Sequence, residues 1–156
     1  MSKVTEKLEG MDVWVYHGQV YIPNTYSAGA VGSRFLIELR DNKRIMGMRC
    51  ARCNRVYVPA RSICKDCFGR LDEWVEVSDK GTVLSYCVSY VPNGIQPTEP
   101  PTVYGIVQLD GADTGFVHML GEVEGEQLRV GMRVQAVFNN NRTGSILDIK
   151  YFKPLS

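Results

Sequence analysis

The sequence predicts a mainly β protein in three zones: an N-terminal hairpin and helix over residues 1–45, a small cysteine-bearing ribbon over 46–72, and a barrel over 73–156. Three observations carry this reading. The C-terminal zone is cut by turn signals into short runs of alternating apolar residues, the pattern of half-buried strands. Four of the five cysteines fall into two CxxC pairs between positions 50 and 67. A single stretch, just before those cysteines, carries the 3.6-residue period of an amphipathic helix.

In the first zone, MDVWVYHGQVYIP over 11–23 alternates Val13, Val15, Val20 and Ile22 around His17-Gly18, which reads as a hairpin. After Gly29 and Gly32, Ser33 is placed to cap a helix over 33–41 that ends near Asn42. Phe35, Leu36 and Leu39 form its apolar face, with Ile45 close to the same period, and Arg34, Glu38, Arg40 and Asp41 stay solvated. The second zone has only Val56, Tyr57, Val58, Ile63 and Phe68 as sizeable apolar residues. In the third, Trp74–Val77 is a short strand before the Asp79-Lys80-Gly81 turn. Thr82–Val91, Val103–Leu109, Gly115–Leu120, Gly131–Phe138 and Ser145–Phe152 follow. The proline-rich stretch 92–101 cannot join a central strand and reads as a loop. Five or six short strands with no helix of consequence between them suggest a small barrel of the OB type.

Bulk properties set limits. A chain of 156 residues with 44% hydrophobic and 22% charged residues has an ordinary globular composition. A chain this long buries roughly two-thirds of its unfolded surface, whereas a segment of about 40 residues or fewer needs a staple. The formal charge of +1 shows no global basic excess of the kind nucleic-acid binders carry. MSKVTEKLEG is charged and lacks the apolar core of a secretory leader, and no run of 18 apolar residues is present to span a membrane. Cysteine pairs without an export signal point to the cytoplasm, and there to metal binding or redox work rather than disulfides.

The cysteine pattern is Cys50-Ala-Arg-Cys53, then Cys64-Lys-Asp-Cys67 after ten residues. A CxxC turn brings two thiolates about 3.5–4 Å apart, the edge of a tetrahedron with Zn–S near 2.3 Å. Two such turns complete a four-thiolate shell. Asn54 and Gly69, beside the two pairs, are residue types that accept the left-handed backbone a metal knuckle requires. A thioredoxin-like redox pair would come singly within a βαβ pattern, which is missing. Zinc is the expected ion; iron suits the same ligands, and spacing does not separate the two. A closed shell has no open coordination position, so Cys50, Cys53, Cys64 and Cys67 are expected to hold a structural metal that staples a segment with too little core of its own.

The order of helix, four-cysteine ribbon and barrel resembles the zinc-ribbon/OB-fold family of acyl-CoA-associated proteins. The residues that carry the resemblance are Phe35-Leu36 and Ile45 before Cys50, then Cys50-Ala-Arg-Cys53-Asn54, Val58-Pro59-Ala60-Arg61 and Cys64-Lys-Asp-Cys67. Val77–Tyr86 and Tyr104–Gly111 continue it into the barrel. It covers roughly 33–152, with Asn54 where the family usually has glycine and Pro59-Ala60 where it usually has two prolines. The resemblance implies a rubredoxin-like zinc ribbon and an OB-fold barrel. It also implies a non-catalytic accessory subunit in a hetero-oligomer with a thiolase-like acyltransferase, where the larger partner carries the nucleophile and acyl-CoA is the shared ligand.

No catalytic residue is expected in this chain. His17 lies in a turn, His118 on a strand facing an interface or the barrel rim, and Cys87 on an alternating strand as a small buried residue. Nucleophilic catalysis needs a cysteine or serine positioned by a base, and two isolated histidines offer a poor one. Asp110, Asp113, Glu122, Glu124 and Glu126 read as a solvated acidic stretch. A second function stays open, a single-stranded nucleic-acid module. Trp74, Tyr86, Tyr90 and Tyr104 could stack bases beside a ribbon made basic by Arg49, Arg52, Arg55, Arg61, Lys65 and Arg70. The same cations would equally suit an acidic protein or the phosphates of coenzyme A. A free-standing acyl-CoA carrier is a third reading.

Overall fold

The computed structural model describes residues 4–8, 11–15, 25–92, 97–123 and 128–155. At the N-terminus β1 (Val4–Leu8) pairs antiparallel with β2 (Met11–Val15), from Val4↔Val15 to Leu8↔Met11. The strand expected at 11–15 is therefore present, but its partner comes from upstream. His17-Gly18 and Val20–Ile22 lie outside the described residues.

Helix α1 runs Gly29–Asn42, four residues longer at its start than expected. Ser33 is inside it rather than capping it; the Ser27 hydroxyl accepts the Gly29 N–H at 3.1 Å instead. Phe35 and Leu39 are buried as the period requires. At the C-terminus Lys43 turns left-handed (φ 53°), and its N–H and that of Arg44 both reach the Glu38 carbonyl. No helix among the described residues is long and apolar enough to cross a membrane.

Strand β3 (Ile45–Arg49) is the centre of a three-stranded antiparallel sheet, flanked by β4 (Val56–Tyr57) and β5 (Glu73–Val77). Strand β5, grouped with the barrel by the sequence zones, thus hydrogen-bonds to the ribbon side, from Ile45↔Val77 to Arg49↔Glu73. Residues 45–48 are all buried because β3 serves two cores. Ile45 and Met46 join the main core, while Met48 joins a small one with Tyr57, Leu71 and the buried thiols Cys50 and Cys64. Ile63 and Phe68 stay outside, 43% and 80% exposed. Few apolar residues remain to hold the ribbon.

The remaining strands close a five-stranded barrel: β6 (Lys80–Ser89), β7 (Thr102–Leu109), β8 (Gly115–Leu120), β10 (Ile149–Pro154) and β9 (Arg133–Phe138), with β9 returning to β6. All neighbours are antiparallel except β8 and β10, which are parallel at Leu120↔Phe152. This is the expected OB-type arrangement. A bulge at Leu84 shifts the β6 register, and beyond it the strand pairs with β7 but no longer with β9, with residues 84–87 all exposed. Inside, Val83, Val107, Val134, Ile149 and Phe152 have no exposed surface, and Phe116 meets Phe152 edge to face at 6.1 Å.

The β7–β8 turn docks on β4. The Val56 N–H donates to the Asp113 carboxylate at 2.8 Å, and the Asp113 N–H donates to the Val56 carbonyl at 2.9 Å. Thr114 does the same for Val58: its hydroxyl accepts the Val58 N–H and donates to the Val58 carbonyl, both at 2.9 Å. Asp113, expected in a solvated acidic turn, therefore clamps the ribbon to the barrel.

Candidate metal centre

The two CxxC turns are built alike. Cys50 follows the last residue of β3, and its N–H donates to the Arg55 carbonyl at 2.8 Å, while its carbonyl accepts the Asn54 N–H at 2.8 Å. In the second turn the Cys64 N–H donates to the Gly69 carbonyl at 2.9 Å, and the Cys64 carbonyl accepts the Phe68 N–H at 3.1 Å. The matching hydrogen bonds demand the same left-handed residue directly after each second cysteine: Asn54 at φ 52° and Phe68 at φ 55°. The expectation for Gly69 was one position off. Gly69 answers a different need, since a Cβ there would lie 3.2 Å from Cys67 Sγ.

The sulfurs converge. Cys50 Sγ and Cys67 Sγ are 3.6 Å apart, Cys53 Sγ and Cys64 Sγ 3.9 Å, and all four lie within 4.8 Å of one another. A tetrahedron with 2.3 Å metal–sulfur bonds has edges of about 3.8 Å, so these four donors fit a single tetrahedral ion. All four cysteines are free thiols, with Cys50 and Cys64 buried and Cys53 and Cys67 partly so.

Behind the sulfurs stands a group that sequence reading did not single out for function. The Tyr57 hydroxyl lies 3.1 Å from Cys64 Sγ and donates to the Asp66 carboxylate at 3.0 Å; Asp66 in turn pairs with Arg55 at 3.5 Å. When the hydroxyl turns its single proton to Cys64 Sγ instead, it holds that thiol down to about 6, and the same contact raises Tyr57 above its ordinary value. The Cys53 thiol is pushed up to about 12, chiefly by its contact with Cys67 Sγ. As free thiols the four therefore cannot all ionise together at neutral pH, and a bound cation would supply the missing compensation. Tyr57 carries no metal-site signature in sequence; only the hairpin brings it to Cys64.

Comparison with known proteins follows the same division. Residues 38–73 match the family model of the ChsH2 rubredoxin-like zinc ribbon domain, and residues 74–139 that of the ChsH2 C-terminal OB-fold domain. A DUF35 domain-containing scaffold protein of Methanocaldococcus jannaschii is 30% identical over 101 residues, covering 64% of this chain and 71% of that one. A counterpart from Pyrococcus furiosus is 30% identical over 128 residues, covering 79% of this chain and 92% of that one. The chain belongs to the DUF35 scaffold protein family. A solved chain described as Ltp2-ChsH2(DUF35) aldolase superposes on this DUF35 chain with TM-score 0.59 and 26% identity, covering 78% of this chain and 93% of that one.

The other residues singled out from sequence scatter over the DUF35 chain. His118 is not at the rim: it is 5% exposed, its ring edge-on to Phe116 and Phe152 at 5.7 and 5.9 Å, with Nε2 donating to the Ile149 carbonyl at 2.7 Å. Burial lowers its pKa below the ordinary value. Cys87, expected to be buried, is exposed: it pairs with Tyr104 of β7 on the stretch of β6 past the Leu84 bulge, where β9 no longer flanks the strand. Asp110 pairs through both carboxylate oxygens with Arg133. Glu122 accepts from the Tyr151 hydroxyl. Trp74 lies on the ribbon sheet with the Arg34 guanidinium 4.4 Å over its ring, whereas Tyr86 and Tyr104 lie on β6 and β7 and Tyr90 directly follows β6. His17, Glu124 and Glu126 lie outside the described residues.

One cleft of about 530 Å³ opens at the end of the barrel, between the tail of the proline loop (Pro97 to Thr102) and the stretch from Leu147 to Tyr151. Met119, Leu120 and Val103 form its apolar floor, and Glu99, Glu122 and Lys150 supply charge at its edges.

Proposed function

We propose that this chain is a non-catalytic accessory subunit of a thiolase-like acyl-CoA enzyme complex, with a structural zinc ion held by Cys50, Cys53, Cys64 and Cys67. The observation that carries the reading is the converged four-sulfur cluster joined to a closed barrel in a chain of the DUF35 scaffold family. The likeness to a chain of an Ltp2–ChsH2 aldolase supports the hetero-oligomeric part of it. The metal supplies a cross-link between two knuckles and no reacting group. The partner carries the nucleophile and the carbon–carbon chemistry. This chain braces the partner, and its proline loop and ribbon shape the acyl-CoA entrance. A narrower form, resting on the sequence resemblance, is the small subunit of benzylsuccinyl-CoA thiolase from anaerobic toluene breakdown.

The test is co-expression with a thiolase-like protein, sought first among the genes beside this one. A stable complex containing zinc in proportion to this subunit, with acyl-CoA cleavage that needs both chains, is expected. Separate elution of the two proteins would sink the reading. Isothermal calorimetry of the isolated chain with coenzyme A separates this reading from a free-standing carrier.

A second reading has one observation in its favour: between residues 49 and 70 six cations face one carboxylate, Asp66. As a single-stranded nucleic-acid module the chain would bind oligonucleotides with affinity falling steeply with salt. Lack of binding at low salt would remove that reading.

A further inference from the structure

Phe68 breaks two rules at once. It is an aromatic side chain left 80% exposed, and its backbone is left-handed at φ 55°. Bulky residues avoid that region, which suits glycine and asparagine. The other knuckle meets the same backbone demand with Asn54, so the metal turn itself does not require an aromatic. In the isolated chain Phe68 thus contributes neither burial nor a favoured conformation. Strain retained without a local return marks a place where another molecule completes the structure.

The surroundings state what kind of molecule. The Arg52 side chain passes beside the next residue, its Cδ 3.8 Å from where a Cβ on Gly69 would sit, and Arg70 follows directly. Among the described residues the guanidinium groups of Arg52 and Arg70 have no ion pair or side-chain hydrogen bond, and both residues are exposed. Asp66, the carboxylate on the same knuckle, is already taken by Tyr57 and Arg55. An aromatic knob between free arginines is the composition of an interface hot spot. Single-stranded nucleic acid is instead bound by several aromatics in one groove, and the exposed tyrosines Tyr86 and Tyr90 belong to the barrel hairpin, not to this tip.

We infer that the ribbon tip is the docking point for the catalytic partner: Phe68 enters an apolar pocket on that protein while Arg52 and Arg70 pair with carboxylates on its rim. The inference rests on the accessory-subunit reading and names the surface through which it operates. It also gives the metal its purpose, since the knuckle that presents Phe68 is held in shape by Cys64 and Cys67.

Three versions of the chain test it, each co-expressed with the thiolase-like partner that the co-expression test identifies and compared by surface plasmon resonance: wild type, Phe68→Asn, and the double variant R52E/R70E. Phe68→Asn copies the sister knuckle, so metal content is expected to be unchanged and the melting temperature of the free chain to rise. Affinity for the partner is expected to fall by about tenfold or more. R52E/R70E is expected to weaken binding and flatten its salt dependence. Wild-type affinity in Phe68→Asn with metal intact would overturn the inference while leaving the accessory-subunit reading standing. A wild-type chain that forms no complex overturns both. Loss of oligo(dT) binding in Phe68→Asn, without loss of partner binding, assigns the tip to nucleic acid and overturns it as well.

Discussion

Tyr57 connects the metal centre to the rest of the ribbon through a single hydroxyl. It touches Cys64 Sγ and the Asp66 carboxylate, and its ring packs in the small core with Met48 and Leu71. Groups of this kind orient a ligand and tune its basicity, and their loss commonly costs about 10–100-fold in metal affinity. Tyr57→Phe keeps the ring and removes the hydroxyl, so it should release zinc to a chelator such as PAR at about 10–100-fold lower chelator concentration, with little change in barrel circular dichroism. Unchanged zinc retention would show that the hydroxyl only fills space. His118 makes a prediction of a different kind. Burial holds its folded pKa below the ordinary 6.5, so above that pH both folded and unfolded states are neutral there. As pH falls below 6.5 the unfolded chain takes the proton first, and stability is lost until the folded pKa is passed. The steepest slope from this group alone is about 1.4 kcal/mol per pH unit. Urea titrations between pH 7 and 5 should show the decline in wild type and a shallower one in His118→Gln, which keeps a donor for the Ile149 carbonyl. Parallel declines would remove His118 as the cause.

At the level of elements, the hydrogen-bonded part of the join between ribbon and barrel is an edge strand meeting a turn, beside the shared apolar core. Strand β4 has two residues and pairs with β3 only at Met48↔Tyr57 and Arg49↔Val56. Its other edge is satisfied by Asp113 and Thr114 from the β7–β8 turn. Asp113→Ala leaves the Val56 N–H without its acceptor at a site packed against the main core, a loss of about 1–3 kcal/mol. Thermal unfolding should report it. The Asp110–Arg133 pair on the same turn offers the control: both side chains are nearly half exposed, so Asp110→Asn should cost at most about 1 kcal/mol. If the two variants lose equal stability, the clamp is not where the join is made. The acids of this turn are exposed, as expected of a solvated turn, but Asp113 also reaches β4. Asp110-Gly111-Ala112-Asp113-Thr114 has the composition of a solvated loop, and nothing local says that β4 will arrive beside it.

Across the whole molecule, two kinds of stabilisation divide the chain. The barrel is held by a continuous apolar core running from Val83 to Phe152, joined by α1 through Phe35 and Leu39. The ribbon lends Met46, Val56 and Val58 to that core, but its outer part has only Met48, Tyr57, Leu71 and two buried thiols, so on the proposed reading it depends on a metal cross-link. Chelation should therefore act unevenly. Hydrogen exchange after metal removal is expected to rise across residues 50–70 and to stay slow in β6 to β10. Loss of protection throughout would show that ribbon and barrel fold as one unit. Serine at any one of Cys50, Cys53, Cys64 or Cys67 should reproduce the chelated pattern.

Much of this was written locally in the chain. Paired cysteines at fixed spacing, alternating strands and a 3.6-residue period are short-range signals, and they were enough for the four-cysteine cluster, the barrel and the core face of α1. The features that needed tertiary structure are those whose cause lies far along the sequence. The partner of β2, the transfer of β5 to the ribbon sheet, the burial of His118 inside the barrel, the exposure of Cys87 past the Leu84 bulge, and the pairing of Asp113 with Val56 all depend on which surfaces meet. Composition and period can say that a side chain prefers burial or solvent. They cannot say which backbone groups a distant turn will be asked to satisfy, and that is decided only when the barrel closes and the ribbon is laid against it.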